Sequence, residues 1–486
     1  MNSPCMTALH RAARVAMVTG SLATLGTVSS QWAKAAPAAG TLPDGERVTA
    51  GDAVIGRDGR VMTITQRSKR LITEWRNFSI GAKAEVEFVQ PSAASAALNR
   101  VTGGKPSEIF GKLNANGQVL LVNQAGIHFA SGSRVNTGSL VASTLDIAND
   151  DFLADRLRFA GRSEAGIVAE GEINVADGGY VALVAPTIEH RGSIDAPVGD
   201  VALAAAGAVE LTLGDTGLVS MKVDRGALDA AVDNGGVIEA ADGGAVVMTA
   251  EGLDELTRGV VNNSGTIEAS SLSAKGGRIV LESDGAVANT GRLAASSQHG
   301  VGGEIRIDAG AESEIGGSLD VSSDRAEGGL VTVESDQIRL TDSADIAATG
   351  GAGGGDVLIG GDWQGGEHVD YRVFDDPDAL REATTLDMAT GAAIDASATE
   401  AGDGGTIVLW SDIDNAESET TVAGTLRATG GVLAGDGGRI ETSGHVLTTD
   451  GAAVTAAAPH GKGGLWLLDP ELSLITQGGA DGFVQT

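Results

Sequence analysis

Trp363 and Tyr371 stand among Asp356, Asp362, Glu367 and Asp370, a short stretch that combines ring faces with carboxylates. An aromatic plane on which a sugar ring stacks, beside an acidic groove, is the equipment of a surface that binds or cleaves polysaccharide. A polar surface loop explains the same residues and is the commoner reading. Other chemistries find less. His128, His190, His299, His368, His445 and His460 are scattered, with no HExxH and no His/Cys cluster to ligate a metal. No Ser lies in a GxSxG pattern, and Gly350 to Gly361 lacks the GK[ST] ending of a phosphate loop. GGAGGGDVL at Gly350 approaches a calcium-binding nonapeptide but does not repeat every nine residues, so turn glycines explain it better. The expectation is a non-enzymatic chain with no cofactor and no metal.

The elements that carry these residues are repetitive. Gly-Gly followed by an alternating strand recurs as GGYVALVA at Gly178, GGAVVMTA at Gly243, GGRIVLES at Gly276, GGEIRIDA at Gly302, GGLVTVES at Gly328, GGDVLIGG at Gly354, GGTIVLWS at Gly404, GGRIETSG at Gly437 and GGLWLLDP at Gly463. From Gly276 through Gly354 the interval is 26 residues each time, and it is 26 again from Gly437 to Gly463. A period in this range marks a solenoid. A second strand precedes each pair, as in GTIEASS at Gly265 and GRLAASS at Gly291. If one repeat is one turn, Ile279, Ile305, Val331 and Val357 stack in one interior ladder and Leu281, Ile307, Val333 and Ile359 in another. Arg278, Glu304 and Asp356 then face outward. The wide gap from Gly354 to Gly404 holds the acidic, aromatic stretch as an insertion.

Composition agrees. The 486 residues include 72 Gly and only 3% aromatics, too few for large aromatic-centred cores. A net charge of −32 argues against nucleic acid, whose binders present basic stripes.

The stretch from Phe88 to Ile147 carries a more specific signal. VEFVQPSAASAALNRV, IFGKLNANGQVLLVN, the Asn123-Gln124-Ala125-Gly126-Ile127 element and GSLVAST together resemble the secretion domain of filamentous haemagglutinin-like exoproteins, the passengers of two-partner secretion. One departure stands out: the family usually has Asn-Pro-Asn-Gly where this chain has Asn123-Gln124-Ala125-Gly126. The resemblance implies an all-β fold, a right-handed parallel β-helix with an N-terminal β cap. It also implies an adhesin-like function, secreted or at the cell surface, and recognition by the periplasmic soluble domains of a partner outer-membrane transporter. The residues it points to for that step are Asn99, Arg100, Asn114, Asn116, Gly117, Asn123, Gly126 and Ile127. Host or neighbouring-cell receptors and glycans are the expected surface partners, and a stalk for a toxin is an alternative role.

Four segments follow. Residues 1–35 read as a signal peptide, with Arg11 and Arg14, an apolar run from Val15 to Val28, and small residues Ala33 and Ala35 at the cleavage site. Residues 36–235 are expected to form the secretion domain, 236–468 continuing β-helix repeats, and 469–486 a tail, read as the end of a truncated version of a longer protein. Cys5, the sole cysteine, falls in the leader, so no disulfide would obstruct threading of the mature chain through a pore. No later window is long and apolar enough for a transmembrane helix.

Overall fold

Arg278–Ser283, Ala286–Asn289 and Arg292–Ala294 are three short strands joined by tight corners, and after a longer turn the same three recur at Glu304–Ala309, Glu312–Ile315 and Ser318–Asp320. Each pairs in parallel with its counterpart one coil on, so that Ile279 meets Ile305, Val287 meets Ser313 and Leu293 meets Leu319. The result is a three-faced parallel β-helix. This computed structural model describes residues 36–214, 217–254, 257–272, 276–366 and 380–472; the segments read as signal peptide, with Ala33 and Ala35, and most of the tail lie outside the described residues.

Sequence reading found two strands per coil where there are three. The missed strand is short and only weakly apolar, as in AVAN and ESEI. The face that follows it runs as one 15-stranded sheet from Ala53–Asp58 to Ala453–Thr455. The other two faces join where Arg439–Thr448 straightens through the corner and pairs with both Thr406–Trp410 and Glu419–Val422.

Both expected ladders are present. Ile279, Ile305, Val331 and Val357 are consecutive partners, as are Leu281, Ile307, Val333 and Ile359, all fully buried. They belong to one core that extends from Met62 to Ile440. Each such side chain contributes roughly 1.5–3 kcal/mol of burial, and this replaces an aromatic core. The second glycine of each pair is required by crowding, and the first takes a positive φ at Gly178 and Gly243. A Cβ on Gly303 would lie 2.2 Å from the Gly277 carbonyl oxygen and 2.6 Å from that of Ala295, because successive coils bring their backbones together there.

The N-terminal cap is formed by chain reversal. Arg47–Ala50 runs antiparallel to Arg70–Trp75, and Ala53–Asp58 antiparallel to Val61–Gln66; the parallel stack begins beyond them. Trp75 and Phe78 fill the first coil edge to face, centroids 5.3 Å apart.

Two additions cover the outside of the Gly-Gly face. The first comprises a short helix, Asn149–Leu153, and an antiparallel sheet of Asp146–Ile147, Leu157–Ala160, Ala208–Gly214 and Gly217–Arg225. Phe152, Phe159, Val209 and Leu211 from it pack on Leu98, Leu120, Val141, Ala182 and Ala202. That explains why Tyr180–Ala185, YVALVA, is buried at every position whereas Glu304–Ala309, EIRIDA, alternates. A strand covered on both sides reads as a continuous apolar run.

The second addition is the expected insertion. Trp363 and Leu380 pack with Leu330, Leu358, Val408 and Trp410.

Candidate functional site

The residues singled out in the first coils divide by burial. Asn99 is inside the coil: its Oδ1 accepts from Trp75 Nε1 at 3.0 Å, and its Nδ2 donates to the carbonyls of Ala97 and Leu120. Asn123, equally buried, donates to the Lys105 carbonyl and Ser107 Oγ and accepts from the Ala125 N–H, each at 2.9 Å. It thereby shapes the turn in which Gly126 takes a positive φ of 111° and from which the buried Ile127 enters its strand. Asn116 imitates a strand partner, accepting from the Gln90 N–H at 2.7 Å and donating to its carbonyl at 2.9 Å. Gly117 sits where a Cβ would meet the carbonyls of Ser95 and Ser92. These groups satisfy buried backbone polarity that would otherwise oppose closure of the coil.

Arg100 has a different task. Its guanidinium reaches Asp146 Oδ1 at 2.8 Å, Asn149 Oδ1 at 2.7 Å and the Ile147 carbonyl, so it ties the external sheet and helix to the second coil. Arg70, one coil earlier, holds the other end of that helix through Asp155 and lies over the Phe152 ring. An open cleft beside Arg100 is lined by Asp146, Asp151 and Arg158. Only Asn114 and Asn116, with the rim of Arg100, remain accessible from outside. Asn114 begins an external amide column, accepting from Asn136, which accepts from Asn174, at 3.1 and 3.0 Å.

Sequence reading did not anticipate a second, internal column. His190, Asn234, Asn263 and Asn289 are fully buried one above another. Asn234 donates to Asn263, Asn263 to Asn289, and Asn289 to the Gly316 carbonyl, each at 2.7 Å. The Asn234 oxygen therefore faces His190 Nδ1, which donates to it at 2.6 Å, and burial pushes the imidazole below its ordinary pKa. Asparagine at the same place in successive coils was the available signal.

The aromatic and acidic stretch is not an open platform in its described part. Trp363 is 5% exposed, and the Arg439 guanidinium lies 5.0 Å from its ring centroid. Asp356 keeps the outward register of Arg278 and Glu304 and is half-buried there, and burial pushes its carboxyl up to about 6 despite hydrogen bonding from Thr406. Glu441, wholly buried beneath the insertion, is raised to about 7 by burial, although the Gln364 N–H and Ser443 hydroxyl donate to it. Asp362 accepts from the Leu380 N–H. Glu367, Asp370 and Tyr371 lie outside the described residues. Among the described residues no group of three or more His, Cys, Asp or Glu is placed to hold a metal, and no helix is long and apolar enough to cross a membrane.

Comparison with known proteins addresses the same coils. Residues 39–295 match the family described as TPS secretion domain. A heme/hemopexin-binding protein of Haemophilus influenzae is 37% identical over 164 residues, covering 32% of this chain and 18% of that protein. A second protein of that description and species is 40% identical over 103 residues, 21% of this chain and 11% of the other. This chain thus spans less than a fifth of the length of the curated relatives it matches. The crystal structure of the HMW1 secretion domain from Haemophilus influenzae superposes with a TM-score of 0.65 at 28% identity, over 88% of this chain and 100% of that one.

Proposed function

The chain belongs to the TPS secretion domain family, and from that premise we propose that it is the leading part of an adhesin-like exoprotein, delivered to the cell surface through a partner outer-membrane transporter. The transporter's periplasmic soluble domains receive it, and folding outside the membrane drives its exit. The observation that carries this reading is that the Asn side chains of the first coils find their hydrogen-bond partners within a coil or between adjacent coils. Asn99, Asn116 and Asn123 bond to groups no more than 26 residues away. A coil can therefore close as soon as it and its predecessor have emerged, without waiting for distant sequence. Each closure buries its ladder side chains and opposes return through the pore. Asn99 and Asn123, being buried, act in this reading by nucleating the first coils.

The competing polysaccharide reading has less support, because the Trp363 ring is already covered by protein. The test is export from cells that make the chain with and without its transporter. Extracellular, protease-resistant product only in the presence of the transporter is expected; equal distribution in both would end the proposal.

A further inference from the structure

The internal polar column of His190, Asn234, Asn263 and Asn289 has one titratable member, and it stands at an end. Phe129 and Ala169 occupy the same column on the coils beneath His190, and Ile315 follows Asn289 above. Four polar side chains are therefore bounded by apolar ones along the core.

The direction of every hydrogen bond in the column is fixed from its far end. A carbonyl oxygen only accepts, so the Asn289 atom facing Gly316 at 2.7 Å is its amide nitrogen, and the Asn289 oxygen is left to receive Asn263. Asn263 in turn receives Asn234. The Gly236 N–H, 3.2 Å from Asn234 Oδ1, identifies that atom as oxygen independently. His190 must then carry its proton on Nδ1, where it meets Asn234 at 2.6 Å. Its Nε2 is buried with no hydrogen-bond partner among the described residues. The imidazole is held as one neutral tautomer, and a second proton has only Nε2 to go to.

Nothing around that atom compensates a charge. On the other two faces of the same coil the interior side chains include Leu183 and Ile194, both apolar. Charged neighbours stand on the outer side of the wall: Glu189 and Asp233 are half-buried there and pair with Arg191, and the exposed Glu170 on the coil beneath bonds to His128. Burial and the Arg191 charge both oppose an imidazolium, against the Asn234 contact. An unpaired buried cation is costly, so the coil must open before His190 takes up a proton.

We infer that His190 is an acid-sensitive joint in the β-helix. As pH falls below about 6.5, the ordinary histidine value, the opened form gains a proton that the wound form cannot hold, and the pairing of Thr187–His190 with Ala231–Asn234 loosens. Stability present at neutral pH is thus lost on acidification, the reverse of the sign at Glu441. The column is apolar in the coils of Ala169 and Ile315, and coils interact chiefly with their neighbours, so opening stays local. The chain reaches Ala231–Asn234 from Gly217–Arg225, the last strand of the external sheet, and loosening there frees the root of that sheet.

The test is hydrogen exchange of the full chain, read at the amides of Thr187–His190 and Ala231–Asn234. His190→Asn continues the amide column and removes the titrating group. From about pH 7.5 to about pH 5.5, opening should grow about 10-fold more in wild type than in His190→Asn, because the open form alone binds the proton. Amides of Glu304–Ala309 should not distinguish the two chains, and His460→Asn, at an exposed position, should behave as wild type. A second measurement, on wild type alone, is the nitrogen spectrum of labelled histidine: His190 should stay neutral, with its proton on Nδ1, at the lower pH. A difference below about 2-fold between wild type and His190→Asn would overturn the inference, as would a proton on His190 Nε2 at the higher pH or an acid response confined to other coils.

Discussion

Replacing Ile305 by Asp tests the load carried by the interior ladder. Ile305 is fully buried between Ile279 and Val331 in adjacent coils. Removing its aliphatic atoms costs about 2–5 kcal/mol, and burying a carboxyl without an acceptor adds about 1–3 kcal/mol. The expected loss is therefore about 3–8 kcal/mol, a large fraction of the stability of an ordinary domain. Coils interact chiefly with their neighbours, so the damage should be local. Urea unfolding of the purified chain should split into separate transitions, while limited proteolysis leaves the coils before Ser283 resistant. Adding Val331→Asp should slow appearance of extracellular product in a pulse-chase experiment. Gln337→Asp, an exposed position in the same region, should stay within about 0.5 kcal/mol of wild type. If Ile305→Asp matches Gln337→Asp in urea midpoint and in export half-time, the ladder does not hold the coil and the account of export fails with it.

Three further outcomes are expected. Gly303→Ala should destabilise by about 1–3 kcal/mol through overpacking, while Gly463→Ala, whose Cβ would meet nothing within 4 Å, should be neutral by thermal melting. Asn263→Ala strands the Asn234 amide and the Asn289 oxygen, each at about 1–3 kcal/mol, and chemical denaturation should register the loss. Glu441 has a folded pKa of about 7 against an ordinary 4.5, so folding takes up a proton between those values and the group contributes less stability as pH rises through that window. Glu441→Gln should therefore raise the melting temperature at pH 8 and leave it nearly unchanged at pH 4; a gain at pH 4 alone would refute the assignment.

How much of this was legible in the residues differs from place to place. The 26-residue spacing placed Ile279, Ile305, Val331 and Val357 in one column because a parallel coil turns sequence period directly into vertical stacking. Resemblance over Phe88 to Ile147 identified the family. The third strand of each coil escaped because four residues such as ESEI contain too little alternation to stand out from a corner. For the Asn residues of the first coils, residue type spoke for turns and hydrogen bonding but not for side of the wall. Asn99 and Asn123 point inward and Asn114 outward, which follows from register within each strand.

Sequence by itself determined the coil, its aliphatic ladders and its glycine columns, since these depend on contacts between positions one period apart. Tertiary structure alone decided what covers the outside. The clasp of Arg100 on Asp146 and Asn149 and the burial of Trp363 under Arg439 join residues at irregular separations. Such groupings arise only when excursions of unequal length fold back on a wound wall, and no fixed spacing along the chain encodes them.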